Sequence, residues 1–278
     1  MTLSPSATTR ILKCLEHLPK KSLGQNFLID SNIVLKALSL AELQPGDVLV
    51  EVGPGIGTLS EALLKTGLTL YAVEKDPKLY AYLLKHLQAH YPSFHLSQGD
   101  AMDSPLAALP ESMNRFKIVA NLPYAISTPW LEKILRGRLP EAMVLMLQKE
   151  TADRFRASCG TKAYSPISIL LEGAYASADQ HAVSRQCFHP VPKVDSVLLS
   201  LKRKAEPFVF SDRAYKLMRS LFTQRRKQIQ NLCKQQALQY PRLHLWLKHL
   251  EALGLSGLSR PEVIPFVGWK ALEDFVER

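Results

Sequence analysis

Between residues 48 and 158, short apolar runs alternate with segments of helical character, and this alternation most constrains the fold. Strands are predicted at 48–52, 68–73, 94–98, 116–120 and 142–147. Helices are predicted at 58–66, at 77–90, from about Pro129 onward and at 149–158. Repeated βα units of this kind predict a parallel, doubly wound sheet whose ligands bind at the carboxyl ends of the strands. Residues 165–203 predict one more helix and two antiparallel strands.

The turn after the first strand is rich in glycine, which occupies every second position from Gly53 to residue 57. A dinucleotide-binding loop needs a third glycine where this chain has Thr58, and the charge of Glu51 would repel a pyrophosphate. Glycines in this pattern after an acidic strand end instead resemble the cofactor loop of S-adenosylmethionine-dependent methyltransferases. A nucleotide site and a purely structural turn remain as alternatives. Thr58 is predicted to cap the following helix, with Glu61 completing a capping box.

Acidic residues stand at the ends of the next two strands. Glu74 ends the second strand, where its carboxylate can accept hydrogen bonds from both hydroxyls of a ribose. Asp100 follows the third strand, where it can accept from the exocyclic amine of an adenine. Gly53 and Gly55 would let the methionine part of the cofactor approach the backbone near a helix N-terminus. Taken singly, each acid could be a solvated loop residue, but successive strand ends favour one shared site.

The segment Asn121-Leu122-Pro123-Tyr124 follows the fourth predicted strand. A proline at this place fixes a turn, so that the Asn121 amide and the Leu122 carbonyl can converge on one point. The amino group of a base, with its two N–H donors, suits two such acceptors. Tyr124 offers an aromatic face for a base that has left its helix. The alternative is an Asn-initiated turn with a buried tyrosine.

Ordered motifs along residues 20–265 resemble those of the adenine-N6 dimethyltransferases of ribosomal RNA, in their small-subunit branch. The matching segments are Lys20–Leu28, Glu51–Gly57, Glu74, Gly99-Asp100, Asn121–Tyr124, Phe188–Ser196 and Phe222–Lys227 followed by Asn231-Leu232. The resemblance implies a Rossmann-like α/β sheet of the S-adenosylmethionine-dependent methyltransferases with a small C-terminal helical domain. Pro261 departs from the family pattern, so the last helix is predicted to begin later than usual.

The resemblance also implies roles for individual residues. Cofactor contacts are implied for Asn26, Leu28, Gly53, Gly55, Glu74, Asp100 and Asn121. The tetrad Asn121, Leu122, Pro123 and Tyr124 is implied to be catalytic, with Asn121 and Tyr124 holding the target base. Phe188 is implied as a second stacking face, although a core aromatic at a strand junction is an equal alternative. No metal is expected.

Beyond about Ala205 the sequence predicts helices without strand alternation, and its charge changes. From residue 202 to residue 227 there are nine Lys and Arg against two acids. Arg225, Arg226 and Lys227, which resemble part of a basic helix in the family, are predicted to dock RNA. Arg213, Lys216 and Arg219 would extend that surface. A solvated helix face is the alternative.

The composition sets wider limits. A formal charge of +10 makes a polyanionic partner plausible, although an ordinary basic enzyme would also fit. The four cysteines are scattered without a C-x-x-C pair, which indicates neither a zinc site nor a disulfide framework. No apolar run approaches the ~18 residues of a membrane span. Residues 1–21 are faintly similar to an organelle transit peptide, but a motif begins so soon after them that a cytoplasmic protein is expected.

We therefore predict a methyltransferase domain at 1–203 and a helical RNA-docking domain at 204–278, acting as a monomer. The predicted reaction is dimethylation of N6 on two adjacent adenines near the 3′ end of small-subunit rRNA in an immature ribosomal subunit. The alternatives are a large-subunit rRNA adenine methyltransferase of the macrolide-resistance type, a DNA adenine methyltransferase and a non-catalytic ribosome-assembly factor. The C-terminal Gln-Arg-Arg-Lys segment is the feature that favours the small-subunit branch.

Overall fold

A computed structural model describes residues 4–20 and 24–276, with residues 177 and 178 described by their backbone only. Residues 21–23, which belong to the predicted motif at Lys20–Leu28, lie outside the described residues. The described helices are α1 Pro5–Cys14, α2 Ser31–Ala41, α3 Thr58–Leu64, α4 Pro77–Leu83, α5 Ser127–Leu135, α6 Lys149–Phe155, α7 Pro166–Ala174, α8 Asp212–Thr223, α9 Ile229–Gln236, α10 Leu243–Ala252, α11 Phe266–Ala271 and α12 Glu273–Val276. A π-helical turn at Leu84–Gln88 continues α4, and short 3₁₀ turns lie at Arg185–Cys187 and Pro261–Val263.

A seven-stranded sheet carries the predicted βα units. The described strands are β1 Phe27–Leu28, β2 Val48–Val52, β3 Thr69–Glu74, β4 Phe94–Gln98, β5 Lys117–Asn121, β6 Ala142–Gln148, β7 Tyr175–Val183, β8 Phe188–His189 and β9 Ser196–Arg203. The large sheet has the order β4-β3-β2-β5-β6-β9-β7, with parallel pairs from β4 to β6 and an antiparallel β9 beside β6. Helices flank this mixed sheet, so the predicted Rossmann-like α/β fold is confirmed.

The strand order creates a crevice at the carboxyl ends of the strands, where the sequence predicts that ligands bind. The chain runs outward from β2 through β3 to β4, and then returns to pair β5 with the opposite side of β2. The order therefore reverses between β2 and β5, and connections on either side diverge there. The glycine turn after β2 and the tetrad at the end of β5 consequently lie at the same edge of the sheet.

Burial of apolar side chains explains why these strands form. Leu49, Leu70 and Phe94 lie in register on three neighbouring strands, and each is almost completely buried. They belong to a core that also takes apolar residues from α2 and α3, such as Ile33 and Leu63. Each fully buried side chain of this size stabilises the fold by roughly 1.5–3 kcal/mol.

The helix ends partly follow the predictions. Asp30 caps α2 with its carboxylate, as its position before the helix indicates. The capping box at Thr58 is wrong, because the cap position is Gly57 and no side chain caps α3. Gly57 has φ of 82°, and a Cβ atom there would lie 2.6 Å from Leu87 Cδ1. The cap therefore lies one residue earlier than the sequence suggested, and Thr58 is the first helical residue. The last helices begin after Pro261, as predicted.

Contacts between Cα atoms divide the chain into two compact units. The first comprises residues 1–134, 138–152 and 177–203, and the second comprises residues 135–137, 153–176 and 204–278. Residues 153–176 join the second unit because the backbone after β9 bonds to the end of α7: Lys204 and Phe208 donate to the carbonyls of Ala174 and Gly173 at 3.0 and 3.1 Å. The domain boundary at residue 203 stays a prediction. Trp246 and Trp269, both fully buried, pack together in the second unit.

Candidate cofactor and base-binding site

A pocket opens at the carboxyl ends of β2, β3 and β5. Ten predicted site residues line it: Asn26, Leu28, Gly53, Gly55, Glu74, Asp100, Asn121, Leu122, Pro123 and Tyr124. They come from five separate stretches of the chain, and the sheet topology brings them together. Their individual roles stay predictions. The pocket is also lined by residues that were not predicted as site residues, among them Phe27, Glu51, Thr58 and Lys75.

The glycine turn is shaped by close packing. Gly53 has φ of 66° and donates its N–H to the Val73 carbonyl at 3.0 Å, which fixes the turn against β3. Gly55 has φ of 64°, and a Cβ there would lie 3.1 Å from two atoms of the Phe27 ring. Both residues thus combine a left-handed backbone with a crowded surrounding, which only glycine tolerates well.

Glu74 lies at the centre of this arrangement and is almost fully buried. Its two carboxylate oxygens accept from the backbone N–H groups of Gly55 at 3.0 Å and Asp76 at 2.8 Å. Burial raises the pKa of Glu74, and these backbone hydrogen bonds oppose the rise. Each carboxylate oxygen can accept a second hydrogen bond, so the group still has capacity for the two hydroxyls of a ribose.

Glu51 is a second buried carboxyl in the pocket. The sequence predicts for it only a charge that would repel a pyrophosphate. It is 1% exposed, and the fully buried Ser60 hydroxyl donates to it at 2.6 Å. Burial raises the pKa of Glu51 to about 8, with the nearby charge of Glu74 acting in the same direction. Its place before the glycine turn was the only signal in the sequence.

Asp100 is held differently, because it is paired with a cation. Lys75 Nζ lies 2.6 Å from Asp100 Oδ2, and the Met102 N–H donates to Oδ1 at 2.8 Å. The Lys75 hydrogen bond lowers the pKa of the Asp100 carboxyl, so this group is ionised at neutral pH. The predicted adenine contact therefore presents a charged acceptor that already has one bond on each oxygen.

The tetrad leads from β5 into a turn at residues 124–126, and its predicted role stays a prediction. Asn121 is the last residue of β5, and its Nδ2 donates to the Asn26 carbonyl at 3.1 Å. Its Oδ1 has no hydrogen-bond partner among the described residues, so this acceptor is available to a ligand. Leu122 is buried, and Pro123 packs over Gly53. Tyr124 is half-buried, and its hydroxyl lies 2.7 Å from Ser196 Oγ.

The remaining predicted residues are not part of the lining of this pocket. Phe188 pairs with Leu28 between β8 and β1, and its ring is 1% exposed within the apolar core. In this structure it offers no stacking face, and its role with a base stays a prediction. Strands β1 and β8 have only two residues each, which is too short for a periodicity to reveal.

The basic segment does not form a helix, so that part of the prediction is wrong. Arg225, Arg226 and Lys227 lie in the turn between α8 and α9, because the backbone leaves the helical region at Gln224 with φ of −119°. Arg225 donates to the Lys162 carbonyl at 2.8 Å and lies 3.7 Å from Glu262. Arg226 and Lys227 are exposed.

The pocket suits S-adenosylmethionine on chemical grounds. Thr58 Oγ1 is buried in its lining without a hydrogen-bond partner among the described residues, which is unusual unless a ligand supplies one. The pocket also combines acceptors for ribose and amine groups with a crowded glycine turn. Within the described residues, no group of three or more His, Cys, Asp or Glu is arranged to hold a metal ion. None of the described helices has the length and apolar character needed to span a bilayer.

Comparisons with known proteins identify the family. A family model described as "Ribosomal RNA adenine dimethylase" matches residues 16–250. The chain is 52% identical to the ribosomal RNA small subunit methyltransferase A of Opitutus terrae, over 98% of this chain and 99% of that protein. A crystal structure of a dimethyladenosine transferase from Plasmodium falciparum has a TM-score of 0.69 and 26% identity, covering 87% of this chain and 95% of that one.

The crystal structure of the 23S rRNA methyltransferase ErmE has a TM-score of 0.64 and 25% identity, covering 91% of this chain and 100% of that one. The matched family range includes the glycine turn, the acidic strand ends and the tetrad, which are the parts that build the pocket. The chain belongs to the ribosomal RNA adenine dimethylase family of S-adenosylmethionine-dependent methyltransferases.

Proposed function

We propose that this protein dimethylates N6 of two adjacent adenines near the 3′ end of small-subunit rRNA, within an immature ribosomal subunit. The observation that carries the proposal is the turn at the end of β5. There the free acceptor Asn121 Oδ1 and the Tyr124 ring line the same pocket as Glu74 and Asp100. The full-length match to a small subunit methyltransferase from Opitutus terrae supports the choice of rRNA.

The cofactor would lie across the glycine turn. Glu74 would accept from the ribose hydroxyls, and Asp100 from the adenine amine. Gly53 and Gly55 would let the methionine part approach the backbone, with Thr58 Oγ1 as a further polar contact. Asn26 and Leu28 would cover it from the N-terminal side. When bound, S-adenosylmethionine supplies a methyl group already activated by its sulfonium.

The target adenine would enter beside Tyr124. Asn121 Oδ1 and the Leu122 carbonyl would accept the two N–H bonds of its amine, which holds the nitrogen in place and favours its loss of conjugation with the ring. An amide side chain is no general base, so positioning and hydrogen bonding carry the acceleration. Stacking on Tyr124 would hold a base that has left its helix.

Other assignments are supported less well. A large-subunit rRNA methyltransferase would share this fold, as ErmE does, but the 52% identity is to a small-subunit enzyme. A purely structural assembly factor would have no need of the buried acceptors in the pocket, although a second role in small-subunit biogenesis is compatible with them. We further infer that the protein acts as a monomer in the cytoplasm, where its substrate would be assembled.

One experiment tests the substrate. The protein and methyl-labelled S-adenosylmethionine are incubated with unmethylated small subunits, large subunits and DNA, and the labelled base is mapped. We expect label only on two neighbouring adenines near the 3′ end of the small-subunit rRNA. Label confined to large-subunit rRNA or DNA would contradict the proposal.

A variant tests the chemistry. Asn121→Ala removes the acceptor for the target amine, and losing one such preorganised contact typically slows a reaction ~10²–10³-fold. Because Asn121 also bonds to Asn26, the rate is measured in a single turnover at saturating cofactor. Subunit binding should change little. Asn114→Ala, at an exposed position outside the pocket, is the matched control. A near wild-type rate for Asn121→Ala would mean that the tetrad is not the catalytic turn.

A further inference from the structure

A single hydrogen bond ties the stacking residue of the pocket to the start of β9, which lies at the same edge of the sheet. The hydroxyl of Tyr124 lies 2.7 Å from Ser196 Oγ, and Ser196 is 1% exposed. The two residues are far apart in sequence, and nothing else in the described part of the chain bonds to Ser196 Oγ. A buried serine with this one partner is placed to act on the tyrosine.

The other end of the Tyr124 side chain is also held. The tetrad turn is closed by the Ile126 N–H, which donates to the Pro123 carbonyl at 3.1 Å. Ser127 Oγ donates to the Tyr124 carbonyl at 3.1 Å. The backbone thus fixes one end of the ring, and the contact with Ser196 fixes the hydroxyl end. Because Cβ, the ring axis and the hydroxyl oxygen of a tyrosine lie on one line, these two constraints together fix the direction of the ring axis and therefore the position of the ring.

Ser196 itself lies on a rigid support. It begins β9 and pairs in register with Gln148 at the end of β6. The preceding residue, Asp195, accepts the Lys149 N–H with its carbonyl at 3.1 Å and the Arg185 N–H with its carboxylate at 3.0 Å. Because both sides of Ser196 are held, its hydroxyl provides a fixed reference point. Burial raises the pKa of Tyr124, so the phenol stays neutral and can keep this bond at working pH.

We propose that Ser196 is a positioning residue for methyl transfer, which holds the Tyr124 ring at the position where the target adenine stacks. The inference rests on the proposed function, because it assumes that a base occupies this face of the pocket. Dimethylation requires the same nitrogen to be presented twice, the second time with a methyl group attached. A ring free to tilt would therefore impair the second transfer more than the first.

The test is a double-mutant cycle of Ser196→Ala and Tyr124→Phe, which remove the same hydrogen bond from opposite sides. Single-turnover rates on unmethylated small subunits are measured at saturating cofactor, together with the ratio of monomethyl to dimethyl adenine. We expect each single variant to slow transfer about fivefold, as for an ordinary hydrogen bond, and to accumulate monomethyl product. The double variant should be no slower than either single variant. The dissociation constant of S-adenosylmethionine should be unchanged.

The outcomes separate this inference from the function on which it rests. A wild-type protein that leaves small-subunit rRNA unmethylated would overturn both. With an active wild type, a Ser196→Ala rate equal to wild type would overturn the positioning role alone, and so would independent, multiplying effects of the two substitutions. Should Ser196→Ala fail to fold, two other single variants give the same comparison. Tyr124→Phe removes the hydrogen bond and should accumulate monomethyl product. Ser196→Thr keeps the hydroxyl and should not.

Discussion

Glu51 and Glu74 are two buried carboxyls in one pocket, and their surroundings treat them differently. Glu74 accepts two backbone N–H groups, which favour its ionised form and partly offset the cost of burial. Glu51 has a single hydroxyl partner, so burial dominates and raises its pKa to about 8. At neutral pH, Glu51 is therefore mainly protonated in the folded protein, whereas it ionises on unfolding.

This difference predicts a pH-dependent stability. A carboxyl whose pKa is raised from 4.5 to about 8 by folding stabilises the protein fully below the lower value, and the stabilisation is lost as pH rises through the higher one. Between these pH values the free energy of unfolding should fall by up to ~1.4 kcal/mol per pH unit because of Glu51. Glu51→Gln removes the ionisation, so its free energy of unfolding should vary less with pH.

Urea unfolding at pH 5.5, 6.5 and 7.5, without cofactor, checks this prediction. The gap between Glu51→Gln and wild type should move in favour of the variant as pH rises. Glu111→Gln, at an exposed carboxylate, is the control and should follow the wild-type curve. Parallel curves for Glu51→Gln and wild type would show that Glu51 is ionised in the folded state.

At the level of single residues, the sequence indicates where a side chain lies better than it indicates its protonation and its hydrogen bonds. Glu74, Asp100 and Asn121 could be selected because each ends a predicted strand. The raised pKa of Glu51 and the orphaned hydroxyl of Thr58 could not be predicted, since both depend on burial. Ser196 lies inside a matching motif, but its contact with Tyr124 joins residues 72 positions apart and leaves no local pattern.

Among the structural elements, the N-terminal segment (residues 15–20 and 24–26) contains no helix or strand and is attached to the fold by side-chain contacts. Asp76 contacts it twice: Oδ2 accepts from Lys20 Nζ at 2.8 Å, and Oδ1 lies 3.8 Å from His17 Nδ1. Lys78 Nζ also donates to the Glu16 carbonyl at 2.8 Å. The Asp76 carboxylate also caps α4, and its own N–H bonds to Glu74. This one residue links the segment that carries Asn26 to Glu74, the predicted ribose acceptor at the end of β3.

We therefore expect Asp76→Ala to weaken cofactor binding several-fold and to destabilise the fold by ~1–2 kcal/mol through loss of the cap. The backbone N–H that bonds to Glu74 is kept in this variant, so the effect on the cofactor would arise through the N-terminal segment. Calorimetric titration with S-adenosylmethionine and urea unfolding measure the two effects. Ser211→Ala removes the cap of α8 in the second unit and is the matched control. If both variants bind the cofactor like wild type, Asp76 does not position the segment.

The elements that could be predicted are those with a repeating pattern. Strands β2 to β6 are apolar runs between turn residues, and their bounds agree with the prediction to within one residue. Contacts between residues that are distant in sequence are harder to predict. Lys20 and Asp76 are 56 positions apart, and β1 near the start of the first unit pairs with β8 near its end. The helix at Arg225, Arg226 and Lys227 was predicted from a resemblance to a basic helix of the family, and the backbone at Gln224 shows that α8 ends before these residues.

For the whole molecule, a formal charge of +10 indicates a polyanionic partner without saying where it binds. The structure distinguishes the three cations of the basic turn, which are Arg225, Arg226 and Lys227 between α8 and α9. Arg225 is bound to the Lys162 carbonyl and lies near Glu262, so it supports the second unit. Arg226 and Lys227 are exposed and make no hydrogen bond or ion pair through their side chains with another described residue. These two cations are the better candidates for phosphate contacts.

Replacing Arg226 and Lys227 together by alanine should weaken binding to the small subunit and reduce its salt dependence. Each lost phosphate contact lowers the slope of log K against log salt concentration by roughly 0.7–0.9, because fewer counterions are released on binding. The free energy of unfolding and the affinity for S-adenosylmethionine should stay at wild-type values, since neither side chain supports the fold or the pocket. Binding is measured at several salt concentrations with unmethylated subunits.

Two further variants sharpen the comparison. Lys85→Ala removes an exposed cation from the first unit and should leave the salt slope unchanged. Arg225→Ala should instead lower the free energy of unfolding, because it breaks contacts within the second unit. If the slope of the Arg226 and Lys227 double variant equals that of wild type, the basic turn faces solvent in the complex and the RNA binds elsewhere. A slope reduced to the same extent by Lys85→Ala would show that the protein is held by its overall charge, without a defined docking surface.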